Sequence, residues 1–207
     1  LDIRLKRRDL IDIYKEIECL LSTSSRAQVL RNGFVCVICG RPNVGKSTLM
    51  NAILKRERVI VTPLPGTTRD AVEEWVDLEG VPIRLVDTAG VFESRKLIEK
   101  EAMLKVRQYL EIADMVLFIL DGSSALNSQD LKIFNLIKDK QKIIVINKTD
   151  LPQKIDIFEL KRYFAACPLI KISARKNVGP LEREILKFIW SGGISACLLY
   201  TSDAADE

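Results

Sequence analysis

The spacing of apolar positions changes character along this chain. Leu10, Ile13, Tyr14, Ile17, Leu20 and Leu21 recur three and four residues apart, which predicts an amphipathic helix over the first thirty or so residues, with Asn32-Gly33 as its stop. From Phe34 onward the pattern becomes one of short apolar runs at 34–39, 83–86, 115–120, 143–146 and 169–172, separated by segments of helix length. Runs that are apolar at consecutive positions read as strands covered on both faces. The expected fold is therefore α/β, with a mostly parallel sheet and helices on both faces. Residues 75–78 and 81–85 flank Glu79-Gly80, a hairpin signal that predicts one antiparallel edge strand. Residues 181–190 predict a closing amphipathic helix.

These changes divide the chain into a helical segment (1–32), an α/β domain (33–190) and a tail (191–207). Residues 197–207 read as the translation of a sequencing-library adapter, and the tail is expected to be non-native or disordered. With 47% hydrophobic and 29% charged residues, the chain suits one packed core plus a flanking element. A net charge of +4 is too mild to imply nucleic-acid binding, and Arg4, Lys6, Arg7 and Arg8 read as a solvated helix face. No signal peptide opens the sequence, and the apolar stretch 112–120 is too short to span a bilayer and contains Asp114. A soluble, cytoplasmic chain is expected. The five cysteines show no metal-ligand spacing, and Cys36 and Cys39 fall inside a strand-like run. The absence of histidine excludes a Ser-His-Asp triad and a histidine general base.

Gly40-Arg-Pro-Asn-Val-Gly-Lys-Ser47 satisfies G-x-x-x-x-G-K-[ST], follows a strand-like run and precedes a helix-like one that opens at Thr48. In that context glycines let the backbone close around phosphate oxygens, and the amides of Asn43, Val44 and Gly45 lie in the loop that cradles them. Lys46 is expected to neutralise the β- and γ-phosphates and Ser47 to ligate magnesium. Asp87-Thr88-Ala89-Gly90 follows the run at 83–86, which puts the Asp87 carboxylate beside the magnesium shell and the Gly90 amide near the γ-phosphate. Asn147-Lys148-Thr-Asp150 follows the run at 143–146. Asp150 has two acceptor oxygens for guanine N1–H and the exocyclic amine, donors that adenine does not offer. Ser173-Ala174-Arg175 follows the last strand run and is expected to close over the base.

The order of these motifs resembles that of the TRAFAC class of P-loop GTPases, and the phosphate-loop wording is similar to its Era/Der/MnmE branch. Three features narrow the resemblance to the MnmE (TrmE) family of tRNA-modification GTPases: the stretch Val61-Thr-Pro-Leu-Pro-Gly-Thr-Thr-Arg-Asp70, Asp-Thr-Ala-Gly in place of Asp-Thr-Pro-Gly, and the helix ending Leu30-Arg-Asn-Gly33. A ribosome-assembly GTPase of the Der or Era type shares the phosphate loop and Asn43, and stays open as the alternative.

The family resemblance implies a potassium-activated G domain that hydrolyses GTP to GDP and phosphate. Many small GTPases carry glutamine directly after D-x-x-G; here that position is Val91. In the implied scheme potassium takes the place of an arginine finger, held by Asn43, Thr62, Leu64 and Thr67 on the loop through Pro63, Pro65 and Gly66. Thr68 completes the magnesium site with Ser47 and Asp87, and Glu99 matches the glutamate that positions water. Two G domains meet across the nucleotides, so dimerisation accompanies hydrolysis. The family acts with the flavoprotein MnmG to add a carboxymethylaminomethyl group to the tRNA wobble uridine. Its folate-binding N-terminal domain, which also mediates dimerisation, and most of its helical domain are expected to lie outside this sequence.

Overall fold

Buried strands need both their faces covered, and that requirement organises the fold. The computed structural model describes residues 29–56, 58–59, 73–88, 99–164 and 167–191, without the side chains of residues 58, 59, 99–103 and 105. Seven strands are present: β1 (Phe34–Cys39), β2 (Arg58–Val59), β3 (Glu73–Leu78), β4 (Val81–Asp87), β5 (Met115–Asp121), β6 (Lys142–Asn147) and β7 (Leu169–Lys171). Among the described residues, besides the helical residues 29–32, they are accompanied by the helices α1 (Lys46–Arg56), α2 (Glu99–Ile112), α3 (Ser128–Leu136), α4 (Ile157–Tyr163) and α5 (Gly179–Trp190). The sheet order is β2-β3-β4-β1-β5-β6-β7. Strands β4, β1, β5, β6 and β7 run parallel, and β2 and β3 pair antiparallel at one edge.

Alternation along the central strands sends side chains into two cores. Phe34, Cys36 and Ile38 of β1 with Met115, Leu117 and Ile119 of β5 face α1 and α5, where they meet Leu49, Ile53, Leu181 and Ile185. Val37, Val116, Phe118 and Leu120 face α2, α3 and α4, where Tyr109, Leu110, Ile137 and Leu160 pack against them. Helices on both faces of a mostly parallel sheet are as the apolar runs predict. Among the described residues no helix is long and apolar enough to cross a membrane.

Local chemistry sets the ends of elements. Residues 29–32 are helical and Gly33, at φ 82, donates its amide to Val29 O at 2.8 Å, so the predicted helix stop falls where expected. The rest of the predicted first helix lies outside the described residues. Asn127 caps α3 through a capping box with Asp130, and Asp156 caps α4 by accepting from the Phe158 amide. Glu79 and Gly80 have φ values of 51 and 86, the pair of left-handed residues that a two-residue hairpin with the native twist requires. The strand β2 is not among the elements expected from the sequence pattern.

A Cβ at Gly80 would meet nothing within 4 Å, so Gly80→Ala is penalised through backbone conformation alone. The expected loss is about 1 kcal/mol in urea unfolding. No loss would mean that the turn shifts to another type.

Candidate functional site

Parallel strands end on one edge of the sheet, and the loops leaving β1, β4, β5, β6 and β7 gather there. The loops after β1, β4, β6 and β7, with residues of α2 and α3, line a cavity of about 990 Å3 that contains the phosphate loop, Thr88, Asn147, Lys148, Asp150 and Ser173–Arg175.

The phosphate loop joins β1 to α1. Gly40 (φ 155), Asn43 (φ 65) and Gly45 (φ 100) give it its curl. A Cβ on Gly40 would stand 2.5 Å from Ile119 O, and one on Gly45 would run into the Asn147 side-chain amide, so both glycines permit a close approach. Val44 is buried beneath the loop while Asn43 and Thr48 are exposed. Lys46, only 6% exposed, donates from Nζ to Gly40 O at 2.8 Å and Arg41 O at 2.9 Å. Its ammonium thus lies over the loop mouth. The loop runs directly into the N-terminus of α1, whose amide dipoles favour an anion.

At the mouth of the loop Ser47 Oγ donates to Asp87 Oδ2 at 2.6 Å. A hydroxyl and a carboxylate converging on one point form the hard oxygen donor set that suits magnesium beside phosphate oxygens, and these residues therefore fit the ion the family implies. Thr88 Oγ1 donates to Ile38 O at 2.9 Å and ties this turn back to β1. Thr62, Pro63, Leu64, Pro65, Gly66, Thr67, Thr68, Ala89 and Gly90 lie outside the described residues, as does the side chain of Glu99, whose backbone opens α2.

The opposite end of the cavity is built around Asn147, which is 2% exposed. Its Nδ2 donates to Val44 O at 2.8 Å and its Oδ1 accepts from the Ala174 amide at 2.9 Å. One side chain thereby joins the phosphate loop to the Ser173–Arg175 loop. Ser173 Oγ donates to Asp150 Oδ1 at 2.6 Å and holds that carboxyl below its ordinary range. Arg175 is exposed at the rim. Lys148 Nζ donates to Asn43 O at 2.7 Å and to Asp121 Oδ2 at 2.6 Å. Burial would raise the Asp121 carboxyl, but the hydrogen bonds from Lys148 and Ser123 outweigh it and hold the group below its usual value.

Three contributors go unnoticed in the sequence. Arg41 reaches from the phosphate loop to Ser124 and places Nε 3.3 Å from Asp130 Oδ1, a carboxyl that is 2% exposed. Gln153 braces the turn that bears Asp150. For Asp130, the Asn127-x-x-Asp130 capping pattern before an apolar run is the signal that could have been read. Cys39 also borders the cavity, and burial pushes its thiol up to about 12, so it stays neutral.

The family described as 50S ribosome-binding GTPase matches residues 35–148. Among curated proteins, the tRNA modification GTPase MnmE of Thermoanaerobacter sp. (strain X514) is 42% identical over 92% of this chain and 43% of its own length. The protein of the same name from Bacillus subtilis (strain 168) is 42% identical over 92% of the chain and 42% of its own length. This chain therefore spans under half the length of those relatives. Among solved structures, the G domain of the T. maritima FeoB iron transporter superposes with a TM-score of 0.53 at 26% identity, covering 77% of this chain and 98% of that one.

Because the folded-state Asp121 carboxyl titrates below its unfolded value, its contribution to stability is present above about pH 4. It is lost as pH falls through the lower folded value. Lys148→Met is expected to flatten the fall in stability between about pH 5 and pH 2, followed by urea unfolding at a series of pH values. An unchanged slope would mean that Lys148 does not keep Asp121 ionised.

Proposed function

This chain belongs to the family described as 50S ribosome-binding GTPase, and we propose that it is the GTP-hydrolysing part of a tRNA-modification GTPase similar to MnmE. The observation that carries the reading is one cavity holding a phosphate end, Lys46 with the glycine-rich loop, and a base end, Asp150 braced by Ser173.

The roles follow from the donor chemistry. Loop amides and Lys46 receive the β- and γ-phosphates, where Lys46 exchanges its carbonyl partners for phosphate oxygens. Ser47 and Asp87 would hold magnesium together with Thr68, and the ion supplies charge neutralisation on the phosphate oxygens when bound. Asp150 accepts from the guanine N1–H and amino groups, and a bound adenine would leave that carboxylate without donors. The chain contains no histidine, so another group must orient the water. Glu99, at the first residue of α2, is the proposed group. Asn43, exposed and left-handed on the loop, is the proposed potassium ligand with Thr62, Leu64 and Thr67.

The further setting is proposed from the relatives' name and from the resemblance: a dimer through G domains, the flavoprotein MnmG as partner, and the tRNA wobble uridine as the object of modification. Folate belongs in this proposal to a domain outside the sequence.

GTP turnover measured in potassium chloride and in sodium chloride at equal ionic strength, with light scattering in parallel, tests the reading. Higher turnover in potassium, with dimers formed on a transition-state mimic, is expected. Equal turnover in both salts by a monomer would favour the Der or Era type of ribosome-assembly GTPase. Glu99→Ala is expected to lower kcat by about 100-fold or more with GDP affinity intact. Unchanged turnover would remove Glu99 from the mechanism.

A further inference from the structure

Lys148 sits in the left-handed region at φ 63, a conformation that a residue with a branched-off side chain holds only when its surroundings fix it. It opens a tight turn in which the Leu151 amide donates to Lys148 O at 3.0 Å, and Asp150 lies within that turn. On the outer side of the turn the exposed Gln153 donates from Nε2 to Lys148 O at 2.9 Å and to Leu151 O at 2.8 Å. Both partners are carbonyl oxygens, so only the NH2 end of the Gln153 amide can face them. The Oε1 end faces Gly122, where a Cβ would collide with it and would stand 2.9 Å from Asn147 O. The space that Gln153 occupies is therefore open because residue 122 has no side chain. Backbone bonds complete the brace: Gly122 donates to Asn147 O at 2.9 Å, and its carbonyl accepts from Lys154 at 2.8 Å and Ile155 at 3.2 Å.

Gln153 does not line the cavity, so its action on a ligand passes through the turn. We infer that Gln153, seated on Gly122, is a positioning residue for base selection that fixes the direction of the Asp150 carboxylate. This inference rests on the reading of Asp150 as the guanine acceptor. Asp150 is anchored at one oxygen by Ser173, and the Gln153 brace fixes the backbone that carries it, so both oxygens are held for two donors at a set separation. A carboxylate that is free to swivel still accepts from N1–H but loses the second, geometrically dependent bond to the exocyclic amine. The effect of Gln153 is therefore on discrimination between guanine and hypoxanthine.

The test is competition binding of GDP, IDP and ADP to the full chain and to its Gln153→Ala and Gln153→Glu variants. Circular dichroism confirms folding of each. Glutamate has nearly the same shape but turns an acceptor toward two carbonyls. The preference of GDP over IDP is expected to fall roughly three- to tenfold in Gln153→Ala and further in Gln153→Glu. A preference unchanged in both variants, or a parallel weakening of GDP and IDP, would overturn the positioning role while leaving the guanine reading intact. Wild-type protein that binds ADP as tightly as GDP would overturn the guanine reading itself, and this inference with it.

Discussion

Asn147 is the contact on which the site depends. One buried amide donates to the phosphate loop at Val44 O and accepts from the loop after β7 at Ala174 N, so the two ends of the cavity share one rigid spacer. Burying such a group is tolerable only because both its ends are satisfied; leaving either partner unpaired would cost about 1–3 kcal/mol. The spacer also explains Gly45, since a side chain there would fall on the same amide. A motif residue that invites a reading as a base contact is, in this arrangement, first a beam between loops.

Around this beam the protein separates two kinds of cohesion. The sheet is held by apolar contact on both faces, with the side chains of Met115 to Leu120 in β5 fully covered. The site is held by polar contacts at the sheet edge: Lys46 to loop carbonyls, Ser47 to Asp87, Lys148 to Asp121, and Arg41 toward Asp130. The polar set can exchange partners without disturbing the apolar one. A buried pair such as Arg41 and Asp130 adds little net stability but strongly rewards one geometry, which suits a loop that must keep its shape.

Much of this was readable from sequence, for local reasons. The strand β1, the phosphate loop and the start of α1 come from one contiguous motif, and the hairpin comes from Glu79-Gly80, whose left-handed backbone is a property of two adjacent residues. The strand runs were legible because burial on both faces removes polar positions. What escaped were juxtapositions. Arg41 meets Ser124 and Asp130, and Gln153 seats on Gly122, only after parallel strands bring separate loops to one edge. No spacing rule encodes those meetings.

On one side the sheet ends in β7, three residues long. A strand edge is a template on which another chain can add itself, and its danger grows with the length of unpaired backbone it offers. A core this apolar would be hazardous behind long, flat borders. By ending in so brief a strand, the β7 side of the sheet keeps its stickiest surface in the interior and offers a neighbouring molecule almost no ladder to extend.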